Sequence, residues 1–473
     1  MLTLSDFQYL GGFRIKEGAF GVSSANYSTG QLGKVGNSLL LGSHVYQLAL
    51  GEFPIPTLST SENLANLTIV SPSQGFTHVF HDQGLPASVN DRLGGVCDVN
   101  GELVVQAYKY YDTGGNPNNV LIAQHDLSLM SDGWYQVEGS GHVAMWMSEI
   151  PNSYKTILGG THIMGASSGE PITSRWPIGP SAFVVDASDF TAPGAVPSTV
   201  LLDFDLQHPL APNLLSSDMW THISRAVYGV IIGDTYLTIG RSGGHVGGVQ
   251  YKGTQSDGRQ LGGYGSTLAE DFDNHYWLWD MADLVAVRQG LKQPHELRPY
   301  EQGPFPQPFR NVGRRTQMIG ATYDAQAGIL YASISAADTL QGRYAVVPVI
   351  VAYKVTQGTV VEPPVVVDPP IIVTPPVVVE PPVVEPVDNA GAMALLEDEI
   401  AALEVQISSQ LQSLESLDVL ISQQKTEIQR LTTENLGLVG DALTLNAQLK
   451  LAQDNTARLA GILADINALS GQA

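Results

Sequence analysis

The chain has 473 residues, of which 43% are hydrophobic and 15% charged, so it carries enough apolar mass for a buried core and does not read as disordered. A formal net charge of −23 argues against neutralising a phosphate backbone, so nucleic acid is not an expected partner. The single cysteine, Cys97, excludes an intramolecular disulfide and a Cys-based zinc site, and reads as a small buried hydrophobe.

The opening MLTLSDFQYLGGFRIKEG lacks the basic flank, apolar run and small-residue cleavage site of a secretory signal, so none is expected. No run of about 18 apolar residues occurs, and membrane insertion is not expected either. From here to residue 355 the sequence reads as all-β: short runs rich in Val, Ile, Tyr and Trp alternate with Gly, Asn, Asp and Pro turns. A weak repeat is visible. Strand pairs such as VGNSLLLGSHVY, VNGELVVQAYKYYD, GVIIGDTYLTIG and YDAQAGILYASIS are followed by apolar closing strands such as NVLIAQHDLSL, SAFVVDASDF, HYWLWDMADL and VIVAYKV. About five such units predict a β-propeller, with five blades preferred over six and with DFQYLGGFRI closing the ring against the last blade. A pair of β-sandwiches or a β-helix is the other all-β reading.

Residues 356–388 form a second region, in which Pro-Pro returns every six residues at Pro363, Pro369, Pro375 and Pro381. Pro-Pro with β-branched neighbours predicts an extended polyproline spacer with a reach of about 80 Å. Residues 389–473 form the third. Positions stepping alternately by four and three carry Leu396, Ile400, Leu403, Ile407, Leu414, Leu417, Ile421, Ile428, Leu431, Leu438, Leu445, Leu449, Leu459, Leu463 and Ile466, with Ala442 and Ala452 between them and with Gln410, Gln424, Asn435 and Thr456 as the exceptions, Asn435 being at an a position. Ten heptads predict a coiled-coil oligomerisation stalk of about 105 Å. Ile at a, Leu at d and the single Asn favour two strands, whereas Gln410 and Gln424 at d suit three, so a homodimer and a homotrimer both stand.

Five motifs invite chemistry. GASSG around Ser167 has the Gly-X-Ser-X-Gly form of a hydrolase elbow, yet EPITSRWPIGPS follows with no helical period, and it reads as a turn. HVFHDQ offers His78 and His81 without a third metal ligand, and DTGGNPNN reads as a loop, so no metal and no cofactor are expected. RSGGHVGG offers Arg241 and His245 as donors on a backbone that a ligand can approach. DFDNHYW gathers Asp271, Asp273, His275 and Trp277, a set that could serve sugar binding or acid–base work, although Asp and Asn before a strand read first as ordinary turn chemistry.

The run HYWLWDMADLVAVRQGLKQPHELRPY, then PFPQPF, then GATYDAQAGILYASIS, together with YLGGFRI near the start, resembles a family of propeller-like proteins found in bacteria and phages. The resemblance implies a propeller fold and brings no activity with it. Head, rod and stalk together predict a bacteriophage virion structural protein. It would be an oligomeric tail or head fibre or spike, assembled in the host cytoplasm and displaying its heads to a host-surface glycan or protein through avidity. Its partners would be itself, other virion proteins and that host surface, and on this reading the chain is not an enzyme. The alternatives are a glycan-active propeller of the glycoside hydrolase type, which is an analogy at the level of fold, and a bacterial surface adhesin.

Overall fold

The structure is a computed structural model that describes residues 1–80, 91–116, 118–128, 130, 133–168, 175–342 and 344–356, with residues 430, 453, 455, 456, 459 and 461 beyond them. The chain divides into two compact units, Met1–Val366 and Val367–Ala473. The first is a five-bladed β-propeller. Each blade is an antiparallel sheet of four principal strands, and the inner strands Leu32–Val35, Arg92–Val99, Trp146–Glu149, Arg225–Ile232 and Gln317–Asp324 pack side by side into a closed ring.

The first blade continues outward through Ser38–Gly42, Ala49–Pro54 and Gln74–His78, and the second through Glu102–Tyr108, Asn119–Ala123 and Tyr135–Val137. His162–Gly165, Ala182–Val185 and Thr199–Leu202 complete the third blade. Thr235–Gly243, Phe272–Asp280 and Glu301–Pro304 complete the fourth. In the fifth, Ile329–Ser335 and Val349–Val355 are followed by the N-terminal strand Phe7–Ile15, which runs antiparallel to Val349–Val355 from Phe7↔Val355 to Arg14↔Val349. Chain start and last blade therefore close the ring, as DFQYLGGFRI led one to expect. Arg14 fixes this closure by donating from Nε and Nη2 to the Asp338 carboxylate at 2.8 and 2.9 Å, both side chains being buried.

The apolar runs alternate between blade interfaces because both faces of every inner sheet are covered. Leu39 and Leu41 pack between the fifth and first blades, and Leu40 between them packs toward the second. Leu103 and Val105 face the first blade while Val104 faces the third. Between the third and fourth blades the buried Trp146 donates from Nε1 to the Tyr236 hydroxyl at 3.1 Å, which in turn donates to the Ser181 carbonyl at 2.9 Å.

Local turn chemistry sets the hairpins. Val99 pairs with Glu102 across Asn100 and Gly101, both at positive φ, the two-residue turn whose twist matches the strands it joins. The third blade instead inserts a short helix, Asn152–Leu158, between its first and second strands. HYWLWDMADL, read above as one strand, is strand only to Asp280. Asp280 then accepts the Ala282 amide at 2.9 Å and caps the helix Met281–Arg288. The apolar runs read as closing strands are the third strands of their blades. The fourth strands are short: Tyr135–Val137 is flanked in turn by Gly194–Val196, and Glu301–Pro304 is a largely polar edge strand.

The Pro-rich region lies outside the described residues. Of the heptad positions, only Thr456 and Leu459 are described, both in helical conformation. No helix among the described residues is long and apolar enough to cross a membrane.

Candidate functional site

The central channel has two mouths separated by a waist. Leu32, Val96, Trp146, Tyr228 and Ala321 converge there and leave about 10 Å³, room for one water at most. At the exit mouth, where the inner strands end, a space of about 430 Å³ is lined by carboxylates from three blades, and each is already paired. Asp324 meets Lys34 at 3.1 Å, Glu149 accepts from Lys155 at 2.6 Å, and Asp98 lies 2.8 Å from His125. Burial, with Asp98 and Glu149 nearby, pushes the Cys97 thiol up to about 12, so it stays protonated and unreactive.

The entry mouth differs in kind. A pocket of about 570 Å³ opens where the inner strands begin, built from segments far apart in sequence. Tyr110 and Tyr111 follow the second strand of the second blade, and Arg315 and Gln317 lead into the inner strand of the fifth. The fourth blade supplies the rest. His222 precedes its inner strand, and Arg241 lies on its second. Tyr251, Gln255 and Tyr264 come from an extra hairpin, Val249–Tyr251 paired with Tyr264–Ser266. Tyr111, Tyr251 and Tyr264 are 56, 58 and 45% exposed and stand together in this one pocket. No Asp or Glu occurs among the described residues that line this pocket.

His222 stacks on Tyr264, ring centroids 4.1 Å apart and planes within 13°, and Tyr264 in turn meets Tyr251 at 5.0 Å. Burial lowers the His222 pKa, so the imidazole is neutral at physiological pH. Its backbone amide donates to the Leu214 carbonyl at 2.9 Å, while its ring nitrogens carry no hydrogen bond to a described residue. Arg315 donates to Gln255 Oε1 at 3.2 Å, which ties the fifth blade to the hairpin. Deeper in, Arg225 donates to the Tyr108 hydroxyl at 3.2 Å.

The residues singled out from sequence are distributed over three places. Arg241 lies in the entry pocket. His245, Asp271, Asp273 and His275 line a separate depression of about 320 Å³ beside it, and most of their polar atoms are engaged. Asp271 accepts the amides of His245, Val246 and Gly247 at 3.1, 2.9 and 2.8 Å, so it folds the Gly-rich loop. Gly244 is needed there, with φ +75° and the Val249 side chain 2.2 Å from where a Cβ would stand. His245 donates from Nδ1 to the Ser217 carbonyl at 2.6 Å and accepts the Ser242 hydroxyl on Nε2 at 2.7 Å. Asp273 pairs with Arg310, yet burial outweighs that partner and its pKa is raised. His275 donates to Gln302 Oε1 at 2.5 Å, and burial pushes it down to about 3, so it stays neutral. Trp277 is fully buried and donates from Nε1 to the Met219 carbonyl, in the core rather than at a surface.

The remaining motifs are structural turns. Ser167 is buried and donates to the Ala226 carbonyl at 2.9 Å, and Asp112 accepts the backbone and side-chain nitrogens of Asn116 at 2.8 and 2.7 Å. His81 lies outside the described residues. No group of metal-ligating side chains occurs among the described residues.

No family model and no curated protein sequence matches the chain. Solved structures do. An exo-β-1,3-galactanase from Phanerochaete chrysosporium is 8% identical with a TM-score of 0.36, the match covering 71% of this chain and 64% of the galactanase. An α-L-arabinanase from Cellvibrio cellulosa is 10% identical with a TM-score of 0.34, over 69% of this chain and 90% of that one. A GH43 β-1,3-galactosidase is 9% identical with a TM-score of 0.35, over 73% and 94%. The expectation that the chain is not an enzyme finds no support in these matches, which are glycoside hydrolases, and a likeness this distant speaks to the fold alone. Their distance transfers no residue roles, so the chemistry here is read from the chain's own pocket.

Proposed function

We propose that the propeller is a carbohydrate-active head that takes an acidic glycan at its entry mouth. The observation that carries this reading is the joint lining of one pocket by exposed tyrosines and by Arg241 and Arg315, with no described carboxylate, in a chain of net charge −23. Aromatic faces cover the apolar faces of sugar rings, and arginine forks match a carboxylate. Guanidinium groups at the mouth of a pocket attract an anionic ligand. Isothermal titration of the full chain with uronic-acid oligosaccharides and with their carboxyl-reduced neutral counterparts tests it. Binding of the acidic form, weakened at least tenfold by Arg241→Ala or Arg315→Ala, is the expected result, while equal binding of both forms would sink the reading. Display of several heads on an oligomeric fibre, as on a phage virion, is part of the same proposal. It is supported by the heptads from Leu396 to Ile466 and by the Pro-Pro spacer.

A further inference from the structure

We infer that the entry pocket cleaves uronate-containing glycans by β-elimination, with His222 as base, Tyr264 as proton donor, and Arg241 and Arg315 holding the carboxylate. This rests on the acidic-glycan reading above and names its chemistry. Hydrolysis of a glycosidic bond normally uses two carboxylic groups flanking it, and the described lining of this pocket contains none. At the exit mouth, where Asp98, Glu149 and Asp324 come from three blades, each acid is held by a basic partner. Elimination needs a different set. It needs a cationic clamp on a carboxylate, a neutral base and a hydroxyl donor, and the pocket offers that set.

His222 is the histidine that lines the entry pocket, and its ring is less engaged than most. His142 is engaged with Asp203, His245 with Ser217 and Ser242, and His275 with Gln302, whereas the ring nitrogens of His222 carry no hydrogen bond to a described residue. The hydroxyls of Tyr251 and Tyr264 likewise carry none. The stack of His222 on Tyr264, with ring centroids 4.1 Å apart, sets the imidazole and the phenol side by side in the pocket.

The arginines hold the uronate carboxylate and take up the negative charge that develops as His222 removes the proton from the carbon alpha to it. The bond from the beta carbon to the glycosidic oxygen breaks while a carbon–carbon double bond forms. Tyr264 gives its proton to the leaving oxygen, and the proton on His222 returns to the tyrosinate through solvent. No water is consumed and nothing is oxidised. One fragment carries a new reducing end, and the other an unsaturated uronate at its new non-reducing end.

The test incubates the full chain with soluble polymers of galacturonate, of mannuronate and guluronate, and of glucuronate. Ultraviolet absorbance of the conjugated product is followed, reducing ends are assayed, and binding is measured separately by titration. Absorbance rising in step with reducing ends supports the proposal. Tyr264→Phe, which keeps the stack, and His222→Gln are each expected to lower that rate by about 10²-fold or more while polymer affinity changes little. Binding without cleavage overturns the elimination and leaves the acidic-glycan reading intact. Reducing ends without absorbance make the chain a hydrolase and overturn it equally, and absence of binding to every polymer removes both readings.

Discussion

Arg14 and Asp338 form the contact on which ring closure turns. Burial opposes the charge on Asp338. Hydrogen bonds from Arg14, the Leu340 amide and Gln341, with the Arg14 charge, outweigh it and hold the carboxyl below its usual pKa. A depressed carboxylate stabilises the fold above its unfolded pKa of about 3.9, and that contribution is lost as pH falls through the lower folded value. Asp338→Asn is therefore expected to cost about 3–5 kcal/mol in urea unfolding at neutral pH, because the buried guanidinium loses its counter-charge. The same variant should show a flatter loss of stability below about pH 4 than the parent. Tyr236→Phe should cost about 1–3 kcal/mol by leaving the buried Trp146 Nε1–H without an acceptor. An unchanged unfolding midpoint would contradict either assignment.

Among the elements, the inner hairpins were legible because Asn-Gly and Gly-Asp turns sit between apolar runs, and VNGELVVQAY folds as its sequence implies. The outer strands were not, because an edge strand pairs on one side only and carries a weak apolar signal, as Glu301–Pro304 shows. Arg241 was legible from its glycine-rich neighbours. His222, Tyr110, Tyr111 and Arg315 were not, since separate loops from three blades bring them together and no local spacing records it. Tyr251 and Tyr264 stand beside glycines in QYKG and GGYGS, a pattern that reads as a turn and does not mark a pocket. Replacing residues 249–266, most of which form this hairpin, by a short Gly-Ser link should leave thermal unfolding cooperative and remove glycan affinity. Retained affinity would place the ligand elsewhere.

At the scale of the whole molecule, the N-terminal strand makes the head a closed unit, so residues 1–356 should fold without the rest of the chain. Removing residues 1–15 should leave Val349–Val355 as an exposed apolar edge and yield aggregates. Light scattering of the full chain beside residues 1–356 should give a dimer or trimer for the first and a monomer for the second. A monomeric full chain would contradict the fibre.

The titration of the full chain with a uronic-acid oligosaccharide, set against its carboxyl-reduced counterpart, bears most directly on the entry pocket. The account predicts heat only with the acidic sugar, weakening with added salt and at least tenfold weaker in Arg241→Ala and in Arg315→Ala. Equal binding of the neutral sugar, or undiminished affinity in both arginine variants, would contradict it.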